Sequence, residues 1–249
     1  MTSDELMTPE ELMGHVCEKI RDLGWAFYFT PETMARASGL GLDGLRFYFL
    51  GRGGVLGDVE APVVHAAFGY FEPALVEKMW TSAKAILDPR AAGREFMACA
   101  AEHGRRRLSG VDGIEAYCAA AGAVNDAADA TALALYAGAR AEPLVEDAPG
   151  RAMQLTAVLR ELRGSAHLVA LRATGLSTLL AHAIKRPADL AMFGWAPDAV
   201  GEITDDQRER LAAAERLTDE ILAPAYAVLD KAGQRALVSG IDAIEVALT

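Results

Sequence analysis

Along most of the chain, apolar residues recur every three or four positions. These runs begin and end at clear punctuation, so the pattern reads as one helix after another. Thr8-Pro9-Glu10-Glu11 places an N-cap hydroxyl before a first-turn proline, with a capping-box glutamate three residues on. Thr30-Pro31-Glu32 and Asp88-Pro89-Arg90 repeat the cap-then-proline order. The signals predict helices at 9–23, 31–38, 60–68, 72–87 and 89–108, then alanine-rich helices at 113–139 and 150–163. Three more follow at 165–185, 204–230 and 233–247, with Gly, Pro and Asp at most breaks. The expected fold class is all-α, a multi-helix globular protein. One segment resists: Leu45-Arg46-Phe47-Tyr48-Phe49-Leu50 is short, aromatic and bounded by glycines, and reads equally as a strand or a buried helical turn. Leu108-Ser109-Gly110-Val111-Asp112-Gly113 is the nearest thing to a boundary. It divides an aromatic-rich part, 1–110, from an alanine-rich part, 111–249.

Charge narrows the partners. The chain has 249 residues, 52% of them hydrophobic and 24% charged, which is ordinary for a globular protein. Its formal charge of −11 repels a phosphate backbone, so a nucleic-acid role needs a local basic patch. Arg105-Arg106-Arg107 is the only basic run and is too short to outweigh that field. Cys17, Cys99 and Cys118 are widely spaced, form no CxxC pair and read as packed, reduced thiols. The opening Met1-Thr2-Ser3-Asp4-Glu5 is acidic where a signal peptide would be basic, and no uncharged stretch reaches the length of a membrane span. The expectation is a cytoplasmic protein without a membrane partner.

Candidate chemistry concentrates in Arg160-Glu161-Leu162-Arg163-Gly164-Ser165-Ala166-His167. In a helix that continues through Gly164, Arg163 and His167 share a face, Arg160 lies a turn above, and the glycine leaves room between them. Two guanidinium groups, an imidazole and an approachable backbone suit a carboxylate or phosphate on a ligand. The second candidate is the aromatic block between Trp25 and Trp80, which includes Tyr48, Phe68 and Tyr70, with Arg52 and His65 among the rings. Such density lines an apolar pocket with polar anchors, or simply fills a core. Gly51-Arg52-Gly53-Gly54-Val55-Leu56-Gly57 has leucine where a dinucleotide fingerprint needs its third glycine, and it lacks the Gly-Lys-Ser/Thr of a phosphate loop. Gly175-Leu176-Ser177-Thr178-Leu179 lacks the closing glycine of a nucleophile elbow. The acids of Asn125-Asp126-Ala127-Ala128-Asp129 read as a solvated face, and no metal site is expected.

Three stretches carry a resemblance to an uncharacterised actinobacterial family of helix-turn-helix proteins, itself loosely similar at its C-terminal end to MarR-type winged-helix regulators. They are Phe47-Tyr48-Phe49-Leu50-Gly51-Arg52 through Gly57, Ala67-Phe68-Gly69-Tyr70-Phe71-Glu72-Pro73, and Leu159 through His167. In the last, Ser165 and Ala166 replace the middle of a pattern similar to Arg-Gly-Asp-Gly-His. The resemblance implies a helix-turn-helix-like, degenerate winged-helix C-terminal part. Here that part corresponds to Phe193-Gly194-Trp195 and then Gly201 through Arg208, with little chain between Trp195 and Gly201 to build a recognition helix. From Pro197 to Thr249 there are eleven acids against five bases.

The preferred functional expectation is therefore a small-molecule-binding helical protein, a homodimer. Its pocket for an acidic, largely apolar or aromatic ligand, up to a tetrapyrrole in size, is built from Arg160, Arg163, Gly164, His167, Tyr48, Arg52, His65, Phe68 and Tyr70. One alternative is a ligand-responsive DNA-binding regulator, with DNA a partner that the charge disfavours. The other is an enzyme using His167 as acid or base. Under all three readings the cofactor is unknown.

Overall fold

The computed structural model describes residues 6–249; the acidic opening Met1–Glu5 lies outside them. Among the described residues there are twelve α-helices, two short 3₁₀ turns and no strand, so the fold is all-α. The N-terminal part runs α1 (Pro9–Leu23), α2 (Pro31–Gly39), α3 (Gly44–Gly53), α4 (Ala61–Phe68), α5 (Pro73–Lys84) and α6 (Pro89–Leu108). It continues with α7 (Ile114–Ala127), α8 (Ala134–Arg140), α9 (Ala148–Ala173), α10 (Thr178–Lys185), α11 (Asp205–Tyr226) and α12 (Lys231–Leu248). The caps form as read: Thr8 and Glu11 make a reciprocal capping box, and the Thr30 and Asp88 side chains accept from the backbone N–H groups of Thr33 and Ala91.

Four boundaries differ from the sequence expectation. Residues 45–50 are helical, within α3, because the Asp43 carboxylate caps the Arg46 N–H and the helix is then buried on nearly every side. Phe47, Phe49 and Leu50 are fully enclosed, and a helix covered all round loses its amphipathic period. The stretch 113–139 is two helices, not one. Alanine carries no stop signal, but Asp129 accepts from the Thr131 N–H and Ala132 takes a positive φ of 64°, turning the chain between α7 and α8. Gly164, conversely, breaks nothing. Helix α9 runs 26 residues through it and stops at Thr174, where Gly175 adopts φ +71° and Ser177 caps α10. The C-terminal pair is also reset: α11 ends at Tyr226, and α12 starts at Lys231 behind the Asp230 cap.

Helix α9 is the spine of the molecule and packs against α1, α6, α7, α8 and α11. Helix α3 crosses α6 at very close range, where Gly51 lies against Phe96 and a Cβ on Gly54 would sit 1.9 Å from the Pro89 carbonyl oxygen. The Leu108–Gly113 segment is the turn between α6 and α7, and buried residues from both sides of it belong to one core cluster. A smaller cluster of Ala170, Leu171, Leu176, Ala181, Leu211 and Ala214 joins the end of α9 to α10 and α11. The three cysteines are buried free thiols, and no helix is long and apolar enough to cross a membrane.

Candidate functional site

Because α9 is continuous, Arg160, Arg163, Gly164 and His167 form one stripe along it. A Cβ on Gly164 would meet nothing within 4 Å, so the stripe opens onto free space. That space is a cavity of about 220 Å³ between α9 and the aromatic N-terminal helices, with α10 and the residues after it forming a further wall. Arg160, Arg163, Gly164, His167, Tyr48, Arg52, Phe68 and Tyr70 all line it. His65, the ninth candidate, does not line it. It lies on the outer side of α4, next to exposed Val63 and Ala66, while Val64 and Phe68 face inward.

Two carboxylates organise the polar wall. Glu161, 5% exposed, accepts a bidentate pair from Arg52 Nε and Nη2 at 2.9 and 2.8 Å. It also accepts from Arg160 Nη1 at 2.9 Å and from the Tyr28 hydroxyl at 3.1 Å. Burial alone would raise this carboxyl, but Arg52 and Arg160 outweigh it and bring the pKa down to about 2. Arg52 is held further by the Tyr48 hydroxyl at 3.0 Å and lies over the Phe68 ring at 4.3 Å.

The second carboxylate is Glu215, from α11. It accepts from Arg163 Nη2 at 2.8 Å and from Lys185 Nζ, and burial's upward push is overcome by these cations, leaving its pKa lowered. His167 is 6% exposed, with Nδ1 2.9 Å from the Thr218 hydroxyl and Nε2 3.7 Å from Glu215 Oε1. Burial is the main cause that brings this ring down to about 4; Glu215 opposes it, and Arg163 and Lys185 add to it. His167 is therefore a neutral imidazole at physiological pH.

Sequence reasoning missed Glu161 as a site residue, although an acid between Arg160 and Arg163 was a local signal for an internal ion pair. It also missed Lys185, His182 and Phe193, which reach the wall from α10 and the following segment, and Glu215, which pairs with its arginine and lysine. No local pattern links Glu215 to Arg163 across 52 residues. The ring of Phe193 stacks on Phe71 at 4.4 Å and lies tilted against His182 at 4.2 Å, closing one side.

Among the described residues four buried side-chain polar atoms lack any hydrogen-bond partner, and three of them are Arg160 Nε, Arg163 Nε and His182 Nε2. All three belong to residues that line this one cavity. Native proteins leave few such atoms, so their concentration marks the place where polar demand is unmet.

The described residues thus form an all-helical fold with a polar-walled cavity along its central helix. The chain belongs to a helix-turn-helix family, whose sequence model matches residues 13–249. No curated protein and no solved structure matches it. Four-residue turns join α2 to α3 (residues 40–43) and α9 to α10 (residues 174–177). Helix α3 is too enclosed to enter a DNA groove. Between α10 and α11 the described residues hold one 3₁₀ turn, Pro187–Asp189, and no α-helix or strand. The basic run is occupied internally: Arg105 pairs with Asp147 at 2.6 Å, Arg106 with Glu32 at 3.5 Å, and Arg107 donates to the Ala247 carbonyl at 2.7 Å.

Proposed function

We propose that this helix-turn-helix-family protein binds a small anion with an aromatic or apolar body in the cavity along α9. The observation that carries the reading is that Arg160 and Arg163, each with a buried Nε donor lacking a partner, both line the cavity. Charge supports it. The lining holds six cationic side chains, Arg21, Arg52, Arg160, Arg163, Lys185 and Arg186, against two acids, Asp22 and Glu161, in a chain of net −11. Rings of Tyr48, Phe68, Tyr70, Phe71 and Phe193 supply the apolar half. A 220 Å³ space falls below the roughly 300–1,000 Å³ of sites for drug-sized ligands, which favours a single-ring acid and leaves a tetrapyrrole too large.

Benzoate is the minimal probe. Calorimetric titration of the full chain should show saturable binding that weakens at least tenfold in Arg163→Ala. Absent binding, or an unchanged affinity in that variant with its fold intact by circular dichroism, removes the site from consideration. Native mass spectrometry of protein purified from its own host would reveal the natural occupant directly.

Family membership favours a second reading, a ligand-responsive DNA-binding regulator. Salt-dependent gel shifts on the promoter of its own gene at physiological ionic strength would support it. No shift at micromolar protein would rule against it.

A further inference from the structure

Of the three unpartnered atoms on residues lining the cavity, an anion accounts for two, Arg160 Nε and Arg163 Nε. The third, His182 Nε2, comes from a different helix, α10, on a side chain that is 7% exposed. Burial, opposed by Asp189 and assisted by Arg186, holds this ring below its ordinary pKa, so it is a neutral imidazole at physiological pH. A neutral imidazole carries one N–H donor and one lone pair. Whichever of them sits at Nε2, a buried nitrogen without a partner forfeits the hydrogen bond that water gives it in the unfolded chain. The ring packs 4.2 Å from Phe193 and 5.9 Å from Tyr70, and neither serves Nε2.

His182 also stands apart from the cationic end of the site. Arg52, held with Arg160 on Glu161, lies over the Phe68 ring at 4.3 Å. From Phe68 the wall passes to Phe71, Phe193 and then His182, at ring separations of 6.1, 4.4 and 4.2 Å. Cations, aromatic rings and imidazole thus follow one another along one lining.

We infer that His182 is a ligand-binding residue, and that the occupant carries a second polar group, remote from its anion, which hydrogen-bonds to the His182 ring. The class is an aromatic acid with a hydroxyl across the ring from its carboxylate. A hydroxyl both donates and accepts, so it meets either form of the imidazole. This rests on the anion-binding reading above and adds a specificity contact on α10. A ligand without that group leaves the nitrogen buried and unpaired, which is the condition for strong discrimination.

The test is calorimetric titration of the full chain at neutral pH with benzoate and its 2-, 3- and 4-hydroxy isomers. The 3- or the 4-hydroxy isomer should bind at least ten times more tightly than benzoate. In His182→Phe, which keeps a ring against Phe193, that ratio should collapse towards one while benzoate itself still binds. In His182→Gln, which restores a donor and an acceptor, part of the preference should return. A preference that survives unchanged in His182→Phe, with the fold intact by circular dichroism, would overturn the assignment. So would a gain confined to the 2-hydroxy isomer, whose two polar groups are adjacent. Benzoate binding as tightly as every isomer would overturn this inference and leave the anion reading standing. No binding by any of the probes would overturn both.

Discussion

Neutral His167 makes the stability of the fold depend on pH in a calculable way. Its pKa is brought from 6.5 to about 4 in the native state, mainly by burial. Between those values the unfolded chain holds a proton that the native ring refuses. Stability from this residue is therefore fully present above pH 6.5 and is lost as pH falls through the window towards 4. Going from pH 7 to pH 5 the linkage costs about 2 kcal/mol. Replacing His167 with Gln keeps an amide that can face Thr218 and removes the titration. Burial also depresses His103 and His182, but both are present in either protein and cancel in the comparison. Urea unfolding of wild type and His167→Gln at pH 7 and pH 5 is the assay. With a slope of about 2–3 kcal/mol per molar, the wild-type midpoint should fall about 0.7–1 M further than that of the variant. Equal falls in the two proteins would mean that His167 is not a buried neutral ring.

Other consequences are equally direct. Arg52→Met leaves Glu161 buried with one fewer cation and should cost about 3–5 kcal/mol in urea unfolding, most of it recovered when Glu161→Met is added. Gly164→Ala should stabilise the fold by about 0.5–1 kcal/mol, because the new methyl meets nothing within 4 Å in mid-helix. The same methyl should weaken benzoate binding, since it protrudes from the cavity lining, and thermal melts with calorimetry read both effects. Gly54→Ala should lose at least about 1–3 kcal/mol, because its Cβ would strike the Pro89 carbonyl where α3 crosses α6.

The parts of the fold legible in advance were those written locally. Thr8, Thr30 and Asp88 announce their helices because a cap is a contact between residues three apart. Residues 45–50 were ambiguous for a tertiary reason: α3 is enclosed by α5, α6 and its aromatic neighbours, so no polar face marks its period. The α7–α8 break was hidden because alanine fits helix and turn alike, and the turn depends on one Asp129 hydrogen bond. At the cavity, the i, i+3, i+4, i+7 spacing of Arg160, Arg163, Gly164 and His167 was readable as one face. The identities of their partners were not. Glu215 and Lys185 arrive from other helices, and the outward turn of His65 depends on how α4 packs.

The segment after α10 links the two functional readings. A segment that contacts a DNA groove must project from the body of the protein to reach it. Here that chain is tied inward. The Glu72 N–H donates to the Phe193 carbonyl at 2.9 Å, and Trp195 Nε1 donates to the Tyr70 carbonyl at 2.8 Å. Gly194, at φ +88°, lets the backbone lie close against Glu72 and Leu75, where a Cβ would sit 3.1 Å from each side chain. The same anchors seat Phe193 as a wall of the cavity. For this segment to contact DNA it would have to release Phe193 and open the site, so a ligand that binds the closed wall must oppose that contact by linkage. A gel shift abolished by a saturating cavity ligand would fit this antagonism. A shift that the ligand leaves untouched would place any DNA contact on another part of the protein.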